Sequence, residues 1–501
     1  MNYQDFKLSA KRLDLISNHL AKKKVEKYIK ENGVEPTPEI EATFYEVTPE
    51  EKEKYRLVFF ANDFVGESEQ NIDVPAGTPN TPEQNEVEED IINTLLNGTT
   101  GYTADSINNI TLPPEVNVIP RITGNFQDGA TITNESTKSL YLFNTSEEPI
   151  DITILTNSTS VYLTGNFNNV YYNGRTLNGT SGNYPVINGE LDVVPSTSGS
   201  VNVYASFQEN SIVKYMGNQP LNVYHQINEE GNVSVYAPNS TVTMSGTLDE
   251  VEATVSDDTL ILRYSFNCDK LKVNKGSVIY QGIDEHDFYN ELIGENINAA
   301  PYGFAITGNN ITNTTSTPGV YTVTQDFSNN KAVVFGTFAS GRYRYDLNGH
   351  HATFGDSTRG NFLIRSTAQV DFIDSGEGGR MTNASNSYGI WSASEGVVVN
   401  VYGGTYEAYS HVLYAEKGRI NVYGGTFKCL SEDKRYTLNC LDSSFTAETA
   451  KITVYGGKFY NYNPAESMSE PGSPVSFLAD GYTVRSYQEG EDTIYEVIPQ
   501  E

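Results

Sequence analysis

The sequence predicts an all-β chain wound as a solenoid of stacked coils, and three observations carry that prediction. The first is a motif stated three times. Val399-Asn400-Val401-Tyr402-Gly403-Gly404-Thr405-Tyr406 returns as Ile420-Asn421-Val422-Tyr423-Gly424-Gly425-Thr426-Phe427, and again as Ile452-Thr453-Val454-Tyr455-Gly456-Gly457-Lys458-Phe459. Each copy alternates apolar and polar residues, breaks at Gly-Gly and resumes with an aromatic, the pattern of strand, tight corner, strand. Gly-Gly suits a corner that needs positive φ without a Cβ clash. The second observation is a weaker repeat: Ile122-Thr123-Gly124-Asn125-Phe126, Leu163-Thr164-Gly165-Asn166-Phe167, Tyr204-Ala205-Ser206-Phe207 and Ser245-Gly246-Thr247-Leu248. Its closing apolar residues fall at 126, 167, 207 and 248, and half of that interval is again about twenty residues. The third is composition: 34 Tyr, 22 Phe, 42 Gly and one Trp in 501 residues, with the apolar groups in alternating runs. A unit of about twenty residues cannot bury its own apolar face, so it is stable only when stacked on its neighbours.

Charge and cysteine narrow the function classes. A net charge of −31 argues against nucleic acid and against insertion in, or adhesion to, an anionic membrane. Cys268, Cys429 and Cys440 are too few and too scattered for a disulfide framework and read as small buried hydrophobes. No segment is apolar and long enough to cross a bilayer, and the first twenty residues hold no uninterrupted apolar run of the export-signal kind. The chain is therefore expected to be made in, and retained in, a cytoplasm until something releases it.

In chain order, residues 1–65 read as a helix and small attachment domain. Over 3–32 the residues Phe6, Leu13, Ile16, Leu20 and Tyr28 fall close to one helical face, and Gly33 is a natural stop. Residues 1–33 hold eight basic and four acidic groups, so this segment is +4 and leaves −35 on the rest. A basic amphipathic helix with no core of its own reads as a docking element for an acidic partner, with Phe6, Leu13, Ile16, Leu20, Lys22, Lys23 and Lys24 as the anchoring groups. Residues 66–109 read as an acidic linker with one or two helical turns near 91–97. Residues 110–281 form a first solenoid region and 282–305 an interruption. Residues 306–473 form a second region carrying the Val-Tyr-Gly-Gly repeats. Residues 474–501 form a hairpin around Glu489-Gly490-Glu491-Asp492 that covers the last coil, which would otherwise present unpaired backbone.

Tyr345-Asp346-Leu347-Asn348-Gly349-His350 and the Val-Tyr-Gly-Gly-Thr-Phe repeats resemble the strand-and-corner units of right-handed parallel β-helix proteins. That set includes pectate-lyase-like enzymes, bacterial surface proteins and phage spikes. The resemblance covers about 300–500 by motif and 110–280 by spacing. It implies an all-β fold: a right-handed parallel β-helix shaft with a small N-terminal α/β anchor and a C-terminal hairpin cap. Coils of about twenty residues from 122 to 460, stacked roughly 4.8 Å apart, give a rod on the order of 80 Å. The layout looks like a bacteriophage head or tail fibre or spike subunit, a virion protein assembled in the host cytoplasm. The resemblance further implies other virion proteins as partners through the N-terminus, a homotrimer, and contact with host surface glycans. Two alternatives share the fold, a polysaccharide depolymerase tailspike and a bacterial surface adhesin.

An enzyme of this kind, a polysaccharide lyase or glycoside hydrolase, needs two acids flanking the scissile bond. The best local set is Asp346, His350, Asp371, Asp374 and Glu377, beside His351, Arg359, Arg365 and Arg380. Each has a plainer reading: Asp371 alternates with Val370 and Phe372 and faces solvent, Asp374-Ser375-Gly376 is a turn, and His350 follows Asn-Gly in a corner. The balance is against catalysis. Six His and three Cys show no metal-ligand spacing, so neither metal nor cofactor is expected. For glycan binding, exposed tyrosines stack on sugar rings. Tyr402, Tyr423 and Tyr455 share one register, which predicts that they stack on each other inside the solenoid; Tyr406 and Tyr409 are then the glycan candidates.

Overall fold

A computed structural model describes residues 78–500, apart from 181, 196–197, 227–230, 256–258, 309, 311–316, 331, 337–339, 356–360, 384 and 386–387. The anchoring residues of the N-terminal segment, Phe6 to Lys24, lie outside the described residues, as does Arg359. The protein is nearly all β, 7% helical, and its shaft is a parallel β-solenoid of about 15 turns. At roughly 4.8 Å per turn the shaft is about 70 Å long.

From 101 to 301 each coil contributes two main strands. Gly101 pairs with Arg121 and Arg121 with Tyr141, one coil later each time. On the other row, Ile110 pairs with Ile132 and Ile132 with Ile154. Long strands such as Ser160–Tyr172, Val242–Val255 and Leu260–Lys275 turn the corner between the rows and join them into one 19-stranded sheet. The weaker repeat marks that corner, and its period of about 41 residues spans two coils for a packing reason. Asn144 fills the corner of one coil and accepts a hydrogen bond from the Phe126 amide below (3.3 Å). A Cβ on Gly165, in the coil above, would lie 2.7 Å from the Asn144 Cβ. The same pairing recurs where the His225 Nδ1 accepts from the Phe207 amide (3.2 Å) beneath Gly246. A large polar side chain fits this corner when its neighbour has none.

From 303 onward each coil has three strands, in parallel sheets whose regular coils carry the apolar residues inward. The sheet used below contains Gly303–Ile306, Gly319–Val323, Gly341–Asp346, Ala368–Ile373, Val398–Val401, Gly418–Val422 and Ala450–Val454. Along it, Val320, Arg344, Asp371, Asn400, Asn421 and Thr453 are successive partners, separated by 24, 27, 29, 21 and 32 residues. Strand register is held while the loops absorb the difference; the longest coil takes in a short helix, Asp442–Thr446.

The structure redraws two boundaries. The expected interruption at 282–305 continues the coil: Tyr289–Ile293 and Asn298–Pro301 pair in parallel with the turn before, and Gly303–Ile306 pairs with the turn after. What changes there is the interior, whose buried apolar residues fall into two sets, 91–289 and 306–497. Part of the expected linker at 66–109 is structured. Pro82–Leu96 is a helix with a capping box, Thr81 and Gln84 each bonding the other's backbone, and the first strand begins at Gly101. Ile91 and Leu95 are buried against the first coil, and Glu88 accepts from the Thr111 amide (2.7 Å). The helix therefore covers the open N-terminal end of the stack. At the other end Asp492–Pro499 pairs antiparallel with Gly457–Tyr460 and with Tyr482–Glu489, forming the expected hairpin. All three cysteines are free and buried, and burial pushes the Cys268 thiol up to about 12.

Candidate functional site

Strand alternation decides what the three copies of the motif present to solvent. Val399 and Val401, Ile420 and Val422, and Ile452 and Val454 point inward and are buried. Outward, in register, stand Val398, Asn400 and Tyr402; then Arg419, Asn421 and Tyr423; then Lys451, Thr453 and Tyr455. The face is thus a grid of three coils by three columns.

The tyrosine column stacks as its shared register predicts, with ring centroids 5.0 and 4.9 Å apart and planes within 12°. It lies outside the solenoid, not inside. Tyr402 is 49% exposed and Tyr423 43%, because each sits two residues beyond an outward Asn on the same side of the strand. Tyr482 from the hairpin meets Tyr455 edge-on and ends the ladder (5.7 Å). The middle column is a chain of side-chain hydrogen bonds: Asn421 Nδ2 donates to Asn400 Oδ1 (3.0 Å), and Asn400 Nδ2 donates to Asp371 Oδ1 (2.8 Å). The third column carries Arg419 and Lys451, both exposed and without an ion pair among the described residues. Arg344 precedes Asp371 in the amide column, while Arg342 pairs with Asp287 (3.1 Å).

Beside the tyrosines the Gly-Gly corners stack into a shallow groove of about 370 Å³, floored by Gly378-Gly379, Gly403-Gly404, Gly424-Gly425 and Gly457. Thr405, Thr426 and Lys458 form one margin and Asp374 lies at its start.

The acids proposed from the sequence are structural where the structure describes their partners. Asp346 is 6% exposed and accepts from the Asn348 and Ser375 amides (both 2.9 Å) and from the Ser375 hydroxyl (2.6 Å). Asp374 accepts from the Gly349 and Gly379 amides (both 2.7 Å), so it ties two corners together. Asp371 faces outward as expected but is buried at 5% exposure, beneath the amide chain. His350 Nδ1 lies 3.3 Å from Asp326, and Glu377 is an exposed turn residue. Arg380 is held by Glu407 (2.5 Å). Asp346, Asp371 and Asp374 thus have hydrogen-bonding partners of their own, and the other acid lining the groove, Glu496, is paired with Arg485 (2.7 Å). Among the described residues no group of three His, Cys, Asp or Glu is placed to hold a metal ion.

Tyr406 is not a surface residue. It is fully buried, stacked 5.8 Å from Phe427 inside the coil, because the residue after the Gly-Gly-Thr corner points inward. Tyr409 is exposed at 43%, across the next corner. Reading the sequence missed a further aromatic surface, where Tyr388, Trp391, His411 and Tyr414 pack together on the five-stranded sheet. Burial lowers the His411 imidazole to about 4, so it is neutral at neutral pH. Tyr388 and Trp391 lie on one coil and His411 and Tyr414 on the next, 23 residues on in each case, a spacing that carries no repeated residue type to mark it.

Comparisons of the chain with family models, with curated proteins and with solved structures return no match. The function is therefore argued from the site.

Proposed function

We propose that the chain is the shaft of an attachment fibre or spike, held through its N-terminal segment, which contacts surface glycans and does not cut them. The observation that carries this reading is the outward grid on a shaft closed at both ends, in which Tyr402, Tyr423, Arg419 and Lys451 are exposed, Asn421 and Thr453 are half-buried and Asn400 is buried. The tyrosines, stacked on one another, offer sugar a row of ring edges and hydroxyls, and amides beside them supply directional hydrogen bonds. The engagement of Asp346, Asp371 and Asp374 within the fold weighs against a depolymerase, which needs two acids free to exchange protons with substrate. The resemblance of the repeats to parallel β-helix proteins supports a phage virion as the setting, with virion proteins as the N-terminal partners and a homotrimer as the assembly. The other setting is a bacterial surface adhesin.

Binding and cleavage separate in one experiment. The full chain is incubated with host capsule and cell-wall polysaccharides, and both retention and release of reducing ends or unsaturated products are measured. Retention without product is the expected result; product that disappears in Asp346→Asn or Asp374→Asn would establish the depolymerase instead. Cryo-electron microscopy of particles carrying the protein would decide the virion setting and the copy number.

A further inference from the structure

We propose that the three-coil grid is a binding site for an anionic polysaccharide, specifically a carboxylate-bearing chain laid along the shaft axis; this rests on the glycan-attachment reading above. The chain has 64 acidic and 33 basic residues, so a cation placed without regard to function would be expected to meet a carboxylate. Arg419 and Lys451 instead stand exposed, in one column, on rows that contain no acid at all. The nearest acids on the same sheet are in preceding coils. Asp371 is buried and bonded to Asn400, and Asp346 is bonded to Asn348 in its own turn and to Ser375 of the next coil. At the edge of the grid, Glu395 is paired with Lys417 (2.8 Å). The acidity of the rest of the molecule is screened beyond roughly 8 Å at physiological salt, so a local cationic strip keeps its own sign.

Geometry adds the other two contacts that an acidic sugar needs. Phenol rings about 5 Å apart along the axis stack face to face, so a chain lying along the shaft meets a continuous row of ring edges and hydroxyls, one per coil. Between these edges and the cations, the Asn421 Oδ1 and the Thr453 hydroxyl take no part in hydrogen bonds among the described residues, although Asn421 Nδ2 is engaged. A uronate ring lying across the outer edge of Tyr423, whose faces are covered by Tyr402 and Tyr455, would direct its hydroxyls to Asn421 and Thr453 and its carboxylate to Arg419 or Lys451, a charge-assisted contact. A neutral glycan would use the tyrosines and leave the cations idle.

The test uses the full chain and two kinds of probe, alginate and hyaluronate oligosaccharides for the acidic class and dextran oligosaccharides for the neutral one, with binding measured by calorimetry. The acidic chains are expected to bind, with affinity falling as salt rises. Arg419→Ala with Lys451→Ala should weaken binding about tenfold, in line with losing a charge-assisted hydrogen bond. Tyr423→Ala should weaken it several-fold, and the charge-keeping pair Arg419→Lys with Lys451→Arg should retain most of it. Salt dependence in the unaltered protein keeps the test decisive should the alanine pair melt early. Binding of dextran with no binding of the uronates overturns the proposal and leaves the attachment reading standing, as does uronate binding that the alanine pair leaves unchanged. Absence of binding to either class overturns both.

Discussion

Each Gly-Gly corner uses its two glycines differently. The second residue of each pair, Gly404, Gly425 or Gly457, has φ between +88° and +108°, the left-handed region that side chains avoid. The first is glycine because of crowding: a Cβ on Gly424 would lie 2.5 Å from the Tyr402 carbonyl oxygen of the coil below, and on Gly456 2.4 Å from that of Tyr423. Gly403 begins the series and has open space, with no atom nearer than 3.8 Å. Gly424→Ala is therefore expected to destabilise by about 1–3 kcal/mol, the usual cost of overpacking. Gly403→Ala, at the same place in the motif, should be neutral or slightly stabilising. Denaturant midpoints of the two variants check this. A second residue-scale prediction concerns Asp192, on the outer side of the strand Glu190–Val193. Burial raises its carboxyl to about 6, Glu190 adds to the rise and Lys214 opposes it. The folded state thus holds this proton more tightly than the unfolded chain does. Its contribution to stability is greatest below pH 4 and is lost as pH climbs to about 6. Asp192→Asn should raise the unfolding midpoint at pH 7 and leave it nearly unchanged at pH 3.5.

At the scale of elements, the two ends of the solenoid are closed by unlike devices. The C-terminal hairpin adds antiparallel strands to an open edge, and its turn signal at 489–492 was legible. The N-terminal helix was only partly legible. Thr81-Pro82-Glu83-Gln84 is a capping box with proline at the first helical position, yet the acidic, Gln/Asn-rich composition around it resembles a linker. Only Ile91 and Leu95 are fully buried, too few to set a period. Thr81→Ala should cost about 1 kcal/mol through the lost cap. Ile91→Asp should cost more, since it places a charge against the first coil, and hydrogen exchange at 101–112 should accelerate in that variant before it does elsewhere. The stretch 282–305 was misjudged for a related reason. Tyr289 is the one buried residue of Tyr289–Ile293, and Asn298–Pro301 has none, so strands that carry the coil across the gap between the two interiors have no apolar alternation to display.

For the whole molecule, stacking is what converts weak local signals into a rigid shaft. Coils of 21 to 32 residues share one register because backbone pairing and the inward Val, Ile and aromatic residues are common to all, while loops vary freely outside. Contacts run mainly between neighbouring coils, so the ends would be the weak points and each has its cover. The same stacking creates the candidate site, since no single coil holds more than one row of the grid.

The repeating motif and its alternation were enough to establish the solenoid, the inward valines and the corner glycines, because backbone sterics and strand period are local properties. The same alternation put Asn400 and Tyr402 on one side of their strand; which side faced solvent was read wrongly, since stacking in register is equally available inside a coil and outside it. That choice belongs to the tertiary structure. The interior at these coils is already filled by Val401, Tyr406, Val422 and Phe427, and close packing leaves no room there for three more rings. Likewise, whether an aspartate is free for chemistry depends on amides that reach it from a coil 25 to 29 residues away, and only the folded stack brings them there.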